Sequence, residues 1–132
     1  MPAKILSVDD SQTIRRIVGG VLFPYDCILY EAANGLEGLV AARREKPDLI
    51  ILDISMPVMD GISMLTHLME DPELKAIPVL MLTAVSDHNN VVRIAHLGAR
   101  DYLVKPFHEA RLLEKMSQLV PLRKKSAPLP AG

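Results

Sequence analysis

Tryptophan is absent from this 132-residue chain, and aromatic residues make up only 4% of it. It has one cysteine, Cys27. A lone thiol excludes an internal disulfide and suits a reducing compartment, and in an apolar, strand-like run it is expected to fill core. No charge of one sign dominates: 15 Lys and Arg face 16 Asp and Glu, for a formal net charge of -1. That balance gives no electrostatic reason to expect nucleic acid or an anionic membrane as partner. No N-terminal segment resembles a signal peptide and no apolar stretch approaches membrane-spanning length, so the expected location is cytoplasmic. The histidines His67, His88, His96 and His108 lack metal-ligand clustering and are expected on helix surfaces or caps. There is no G-x-x-x-x-G-K-[ST] loop to cradle a nucleotide.

What remains is an aliphatic chain of one-domain length, 49% apolar, large enough to bury a real core. Its most informative feature is where the apolar runs end. Ile5-Leu6-Ser7-Val8 leads into Asp9-Asp10, Leu49-Ile50-Ile51-Leu52 leads into Asp53, and Tyr102-Leu103-Val104 delivers Lys105-Pro106. Short apolar runs with β-branched residues, alternating with helical patterns, predict strands of a parallel sheet. In open α/β sheets chemistry collects outside the carboxyl ends of the strands, so the three acids and the lysine should converge in one cleft. Three carboxylates packed together repel one another unless a cation sits among them. Oxygen ligands of this kind favour Mg²⁺ or Mn²⁺.

The pattern along the chain gives five βα units. Strands are expected over Lys4 to Val8, Ile28 to Glu31, Asp48 to Asp53, Pro78 to Thr83 and Tyr102 to Lys105. The nearly all-aliphatic third run marks a central parallel strand buried on both faces. Ser11 can cap a first helix with Ile14, Ile17, Val18, Val21 and Leu22 on its apolar face and Arg15-Arg16 on the wet one. Gly19-Gly20 inside that helix suggest close helix-sheet packing. A second helix runs over Leu36 to Glu45 after a turn at Asn34-Gly35, and a third over Ile62 to Met69 after a loop at Met56-Pro57 and Asp60-Gly61. Ser86-Asp87 can cap a fourth over Asn89 to Leu97, ended by Gly98, and the last spans His108 to Leu119. Right-handed crossovers make this an α/β, doubly wound, three-layer sandwich. Residues 1–120 form one domain, and Pro121 to Gly132, with Arg123-Lys124-Lys125, is expected to be a disordered tail with no second domain after it.

Taken singly, each residue has a bland explanation. Asp9 or Asp10 could be a helix N-cap, though a cap needs one acid and Ser11 is also available. Asp53 could be a turn residue, Lys105-Pro106 a strand end, and Thr83 a β-branched strand residue. Their order removes the blandness: acid pair after strand one, acid after strand three, hydroxyl after strand four, lysine after strand five. Such parts suit phosphoryl transfer, in which two carboxylates hold a cation, a third attacks phosphorus, and lysine and hydroxyl neutralise the transferred oxygens.

Over residues 3 to 120 the chain resembles the receiver domain of two-component response regulators, in the stand-alone chemotaxis format. The resemblance rests on Val8-Asp9-Asp10-Ser11, Asp53-Ile54-Ser55-Met56-Pro57, Asp60-Gly61, Leu82-Thr83-Ala84 and Asp101-Tyr102-Leu103-Val104-Lys105-Pro106-Phe107. It implies the flavodoxin-like (βα)5 strand order 2-1-3-4-5. It also implies Asp53 as phosphoacceptor, Asp10, Asp53 and the Ser55 backbone carbonyl as direct Mg²⁺ ligands, and Asp9 as a ligand through water. Thr83 and Tyr102 correspond to the switch pair and Lys105 to the phosphoryl clamp, with Lys105-Pro106 cis. Ser55 and Val85 occupy positions that vary within the family and influence phosphoryl lifetime. Implied partners are a sensor histidine kinase or phosphotransfer protein and a downstream protein effector on the helix 4, strand 5, helix 5 surface. Ser7, polar in a buried strand, has no role in this scheme.

Other functions fit less well. A hydrolase of the haloacid-dehalogenase type wants a second carboxylate two residues after its aspartate nucleophile, where this chain has Ser55. A flavodoxin-like cofactor binder would cradle phosphate with its first loop, which Asp9-Asp10 would repel. A degenerate receiver that serves only as an interaction module would lack required side chains, and none is missing. The expectation is thus a signalling protein, not an enzyme beyond its own phosphorylation and slow autodephosphorylation.

Overall fold

A computed structural model describes residues 2–126. The elements run β1 (Ala3–Val8), α1 (Gln12–Leu22), β2 (Cys27–Ala32), α2 (Gly35–Glu45), β3 (Leu49–Asp53), α3 (Gly61–Glu70), β4 (Val79–Ala84), α4 (Val91–Leu97), β5 (Asp101–Lys105) and α5 (Glu109–Leu119). All adjacent strands pair in parallel, in the order β2-β1-β3-β4-β5. This is the expected doubly wound sandwich, with two apolar layers divided by the sheet. Leu6, Val8, Ile50, Leu52, Val79 and Met81 pack with Leu39, Met64, Leu65 and Leu68 on one side. Ile5, Leu49, Ile51, Leu80, Leu82 and Leu103 pack with Val18, Leu22, Leu112 and Met116 on the other. Alternation along each strand feeds both layers, which is why the aliphatic runs are continuous. Every residue of β3 is buried, and each Leu or Ile there contributes roughly 1.5–3 kcal/mol of transfer free energy.

Capping sets most helix starts. Ser11 Oγ accepts from the Ile14 N–H at 3.3 Å, Asn34 Oδ1 from the Glu37 N–H at 2.9 Å, and Asp60 Oδ1 from the Ser63 N–H at 2.8 Å. Each satisfies an orphan donor of a first turn. Gly98 ends α4 at φ 113°, a backbone region that glycine enters at no steric cost. The Lys105-Pro106 bond is cis, as expected.

Several expectations need correction. The fourth helix begins only at Val91, and residues Val85–Asn90 form a 3₁₀ segment instead. Asp87 does not cap that helix; its Oδ2 accepts from the Ala84 N–H at 3.1 Å and so closes the end of β4. Arg15 is not on the wet face: its side chain is mostly buried, 3.7 Å from Glu31. Gly19-Gly20 are not a site of close packing, since a Cβ on Gly20 would meet nothing within 4 Å and one on Gly19 only an ordinary contact with Leu29. Nor is the chain from Pro121 a free tail. The Asp26 N–H donates to Arg123 O at 2.7 Å and the Lys125 N–H to Pro24 O at 2.9 Å, with Tyr25 bridged to Lys124. The remaining tail, 127–132, lies outside the described residues. Cys27 is half-buried against the α1/α5 layer, and burial raises its thiol pKa above the ordinary value. Among the described residues, no helix is long and apolar enough to cross a membrane.

The glycines give opposite stability outcomes that check this packing. A Cβ on Gly61 would lie 2.0 Å from the Asp53 carbonyl oxygen. Gly61→Ala should therefore cost roughly 1–3 kcal/mol or more through overpacking. Gly20→Ala should stabilise by roughly 1 kcal/mol, because it adds helix propensity without a clash. Thermal unfolding of both variants reads the two signs directly, and a neutral Gly61→Ala would refute the close approach.

Candidate functional site

Parallel register builds the site. Val8 on β1 is level with Leu52 on β3, so the next residue on each strand, Asp9 and Asp53, come side by side as the ladder ends. Asp53 in turn is level with Leu82 on β4, and Ala84 with Lys105 on β5, which delivers Thr83 and Lys105 to the same edge. Asp9, Asp53 and Thr83 are buried, while Asp10 is exposed. One carboxylate oxygen from each of Asp9, Asp10 and Asp53 lies within 4.8 Å of the others.

The bland cap reading can now be judged. Asp9 Oδ1 accepts from the Ser11 N–H at 2.9 Å and Ser11 itself caps α1, so Asp10 is not needed for either task. Lys105 Nζ reaches back across two strands to donate to Asp9 Oδ2 at 3.0 Å and to Asp53 Oδ1 at 3.1 Å. One ammonium cannot neutralise three carboxylates. The Asp53 carboxyl accordingly has its pKa pushed up to about 6, first by burial and then by the negative charge of Asp9 and, more weakly, Asp10; Lys105 opposes the rise. Burial alone would lower the Lys105 pKa, but its bonds to Asp9 and Asp53 outweigh that and raise it. The cluster thus holds surplus negative charge in a partly dry cleft, and its donors are all hard oxygens. Those residues fit a divalent metal ion.

The other expected residues are placed less uniformly. Ser55 stands exposed two positions beyond Asp53, with a hydroxyl where a dehalogenase-type acid/base would sit. Val85 is 71% exposed at the start of the 3₁₀ segment. Tyr102 is not in the cleft: the residue is 40% exposed, with Lys115 Nζ 5.9 Å from its ring centroid. Lys115 is itself held by both carboxylate oxygens of Asp101, at 2.9 and 3.0 Å.

Sequence reasoning missed what the β3–α3 loop does. Val58 lies at φ 67° with the Met59 N–H donating to Pro57 O at 2.7 Å, a tight three-residue turn around a β-branched residue. That backbone region disfavours valine, so no residue-type signal pointed to it. Gly61 N–H donates to Ile54 O at 2.7 Å and Gly35 N–H to Met59 O at 2.9 Å, which pins the loop beside Asp53. Asp60-Gly61 had marked the loop but not its anchoring.

Comparison with known proteins agrees with this geometry. A family model described as "Response regulator receiver domain" matches residues 5–117. The chain is 39% identical over 117 residues to chemotaxis protein CheY-3 of Vibrio cholerae, covering 88% of this chain and 90% of that one. It is 37% identical over 118 residues to protein PilH of Pseudomonas aeruginosa, covering 89% and 98% respectively. Among solved structures, the chemotaxis response regulator CheY4 of Vibrio cholerae superposes with a TM-score of 0.84 at 34% identity, covering 91% of this chain and all of that one. The acid-lined carboxyl edge, the strand order and these relatives lead to one conclusion: the chain belongs to the response regulator receiver domain family, the phosphoacceptor signalling proteins of two-component systems.

Proposed function

We propose that Asp53 is the phosphoacceptor and that residues 1–120 act as a receiver unit that catalyses only its own phosphorylation and slow dephosphorylation. The observation that carries this is the meeting of Asp9, Asp10 and Asp53 within 4.8 Å, with Lys105 bonded to two of them. A carboxylate oxygen of Asp53 attacks the phosphorus of a phosphohistidine on a sensor kinase or phosphotransfer protein. The P–N bond breaks, the imidazole leaves, and an acyl phosphate remains on Asp53. Lys105 and the Thr83 hydroxyl neutralise the oxygens of the transferred group. Asp10, Asp53 and the Ser55 carbonyl would hold Mg²⁺ directly, with Mn²⁺ as a substitute and Asp9 acting through water; the ion supplies charge neutralisation. The lone cysteine and the histidine-kinase donor favour a cytoplasmic setting.

The readout is a surface at some distance from the chemistry. Val92, Tyr102 and Val104 leave an exposed apolar strip along α4 and β5, and a groove of about 400 Å³ beside Phe107, Arg111 and Lys115 continues it towards α5. Drawing the Thr83 hydroxyl toward a phosphoryl group on Asp53 vacates space that Tyr102 fills by turning inward. A local charge is thereby converted into a new docking face for a protein effector.

Three outcomes test the scheme. Acetyl phosphate with Mg²⁺ should label wild type once, at Asp53, and leave Asp53→Asn unlabelled; full labelling of that variant, or of wild type in excess chelator, overturns the assignment. Lifetime is the second outcome. An acyl phosphate is lost by in-line attack of water, and Val85 offers no group to hold one. Val85→Glu and Val85→Gln should therefore shed label faster than wild type, and unchanged decay in both would acquit Val85. The third outcome concerns the switch. Moving from roughly 1:99 to 99:1 in favour of the active state requires about 5.5 kcal/mol of preference from phosphorylation. Beryllofluoride should bind Thr83→Ala yet leave the Tyr102 ring resonances unmoved, whereas in wild type they shift; equal shifts in both proteins mean that the signal bypasses Thr83.

A further inference from the structure

The end of the molecule opposite the acid cluster carries its own charged surface. Arg123, Lys124 and Lys125 are all exposed and form no ion pair among the described residues. They are not on a loose tail. Val120 is buried, Leu122 packs against the α1/α5 layer, and two backbone hydrogen bonds fasten Arg123 and Lys125 to Asp26 and Pro24. Lys125 Nζ sits 4.4 Å from the ring centroid of Phe23, an aromatic that is 74% exposed. An open cavity of about 670 Å³ adjoins this strap, bordered by Arg100 and Arg123 and by Asp26 and Asp48. Asp48 is already engaged by the Lys4 N–H at 2.8 Å. Three cations on a backbone fastened to residues 24–26, with an exposed aromatic ring beside them, stand near the amino ends of the strands, away from the acid cluster.

We propose that this strap, residues 121–126 with Phe23, is a second docking site, and that its partner is an extended acidic segment of another protein. Charge complementarity selects an anion. The backbone selects a polypeptide: Arg123 O and Lys125 N are spent on residues 24–26, and antiparallel alternation turns the Lys124 N–H and C=O to the strap's outer edge. The outward N–H and C=O of Lys124, between Arg123 and Lys125, can pair with the backbone of an acidic segment laid alongside in extended form. A nucleic acid or a lipid bilayer is a poorer match, because Asp26 and Asp48 border the strap and interrupt any broad positive field. The site lies roughly 20 Å from the acid cluster along a six-residue strand, so a partner could hold it while Asp53 remains open to a phosphodonor.

The test is a ¹⁵N NMR titration of the full chain with a synthetic oligoglutamate peptide. Amides of residues 24–26 and 122–125 should shift, and Lys124→Glu/Lys125→Glu should weaken binding at least tenfold while labelling of Asp53 by acetyl phosphate is unchanged. That labelling shows that the variant is folded and keeps this proposal separable from the phosphoacceptor assignment. Parallel titrations use a single-stranded oligonucleotide and phosphatidylserine–phosphatidylcholine vesicles. No shifts, shifts confined to other surfaces, or equal binding by the double variant would overturn the proposal. Tighter binding of the oligonucleotide or the vesicles than of the peptide would overturn the choice of a protein partner.

Discussion

Mutual repulsion among Asp9, Asp10 and Asp53 is the constraint around which the rest of the molecule is arranged. Two of these carboxylates are buried, and their oxygens lie within 4.8 Å of one another and of the exposed Asp10. Like charges at such separations in a partly dry cleft cost several kcal/mol unless they are offset. Lys105 offsets part of the charge, but one ammonium bonded to Asp9 and Asp53 leaves three carboxylates incompletely balanced. Burial first, and then the charge of Asp9, raises the Asp53 pKa. A fold gains nothing from holding such a cluster for its own sake. What the cluster provides is a standing demand for positive charge, of the kind a divalent metal ion would meet.

The scaffold holds the cluster through rigid means. β3 is buried along its full length, and β1 and β4 clamp it in register, so Asp53 has little freedom to retreat from its neighbours. The loop that follows is tied down by backbone bonds from Gly61 and Gly35, and a side chain at Gly61 would collide with the Asp53 carbonyl. On the β4 side, Asp87 closes the strand end just past Thr83. The short α4 and the exposed Tyr102 and Val104 lie at the less tightly packed edge of the sheet. Fewer buried contacts hold that edge than hold β3.

The two ends of the sheet have opposite characters. Acids gather at the carboxyl ends of the strands, and a basic strap crosses near the amino ends, so the near-zero net charge of the chain conceals a polar separation. Whole-chain charge is a poor guide to partners when charges of each sign are collected on different faces.

The sequence by itself determined the sandwich, the site and most of its members. Short apolar runs, nearly continuous where the sheet is covered on both faces, ended in Asp9, Asp53 and Lys105, and parallel βα units necessarily bring such ends to one edge. The cap at Ser11 was legible because a side-chain oxygen satisfying a first-turn N–H is a local event, whereas Asn34, read only as a turn residue, proved to cap α2 as well. Tertiary structure alone decided what no residue type or periodicity announces. Asp87 was spent on β4 instead of α4, Arg15 was drawn in beside Glu31, and Val58 was forced into a turn that its side chain disfavours. It also decided the fate of Pro121 to Ser126, whose composition suggests disorder. Their order comes from hydrogen bonds to residues 24–26, nearly a hundred positions earlier, and no local pattern encodes such a pairing.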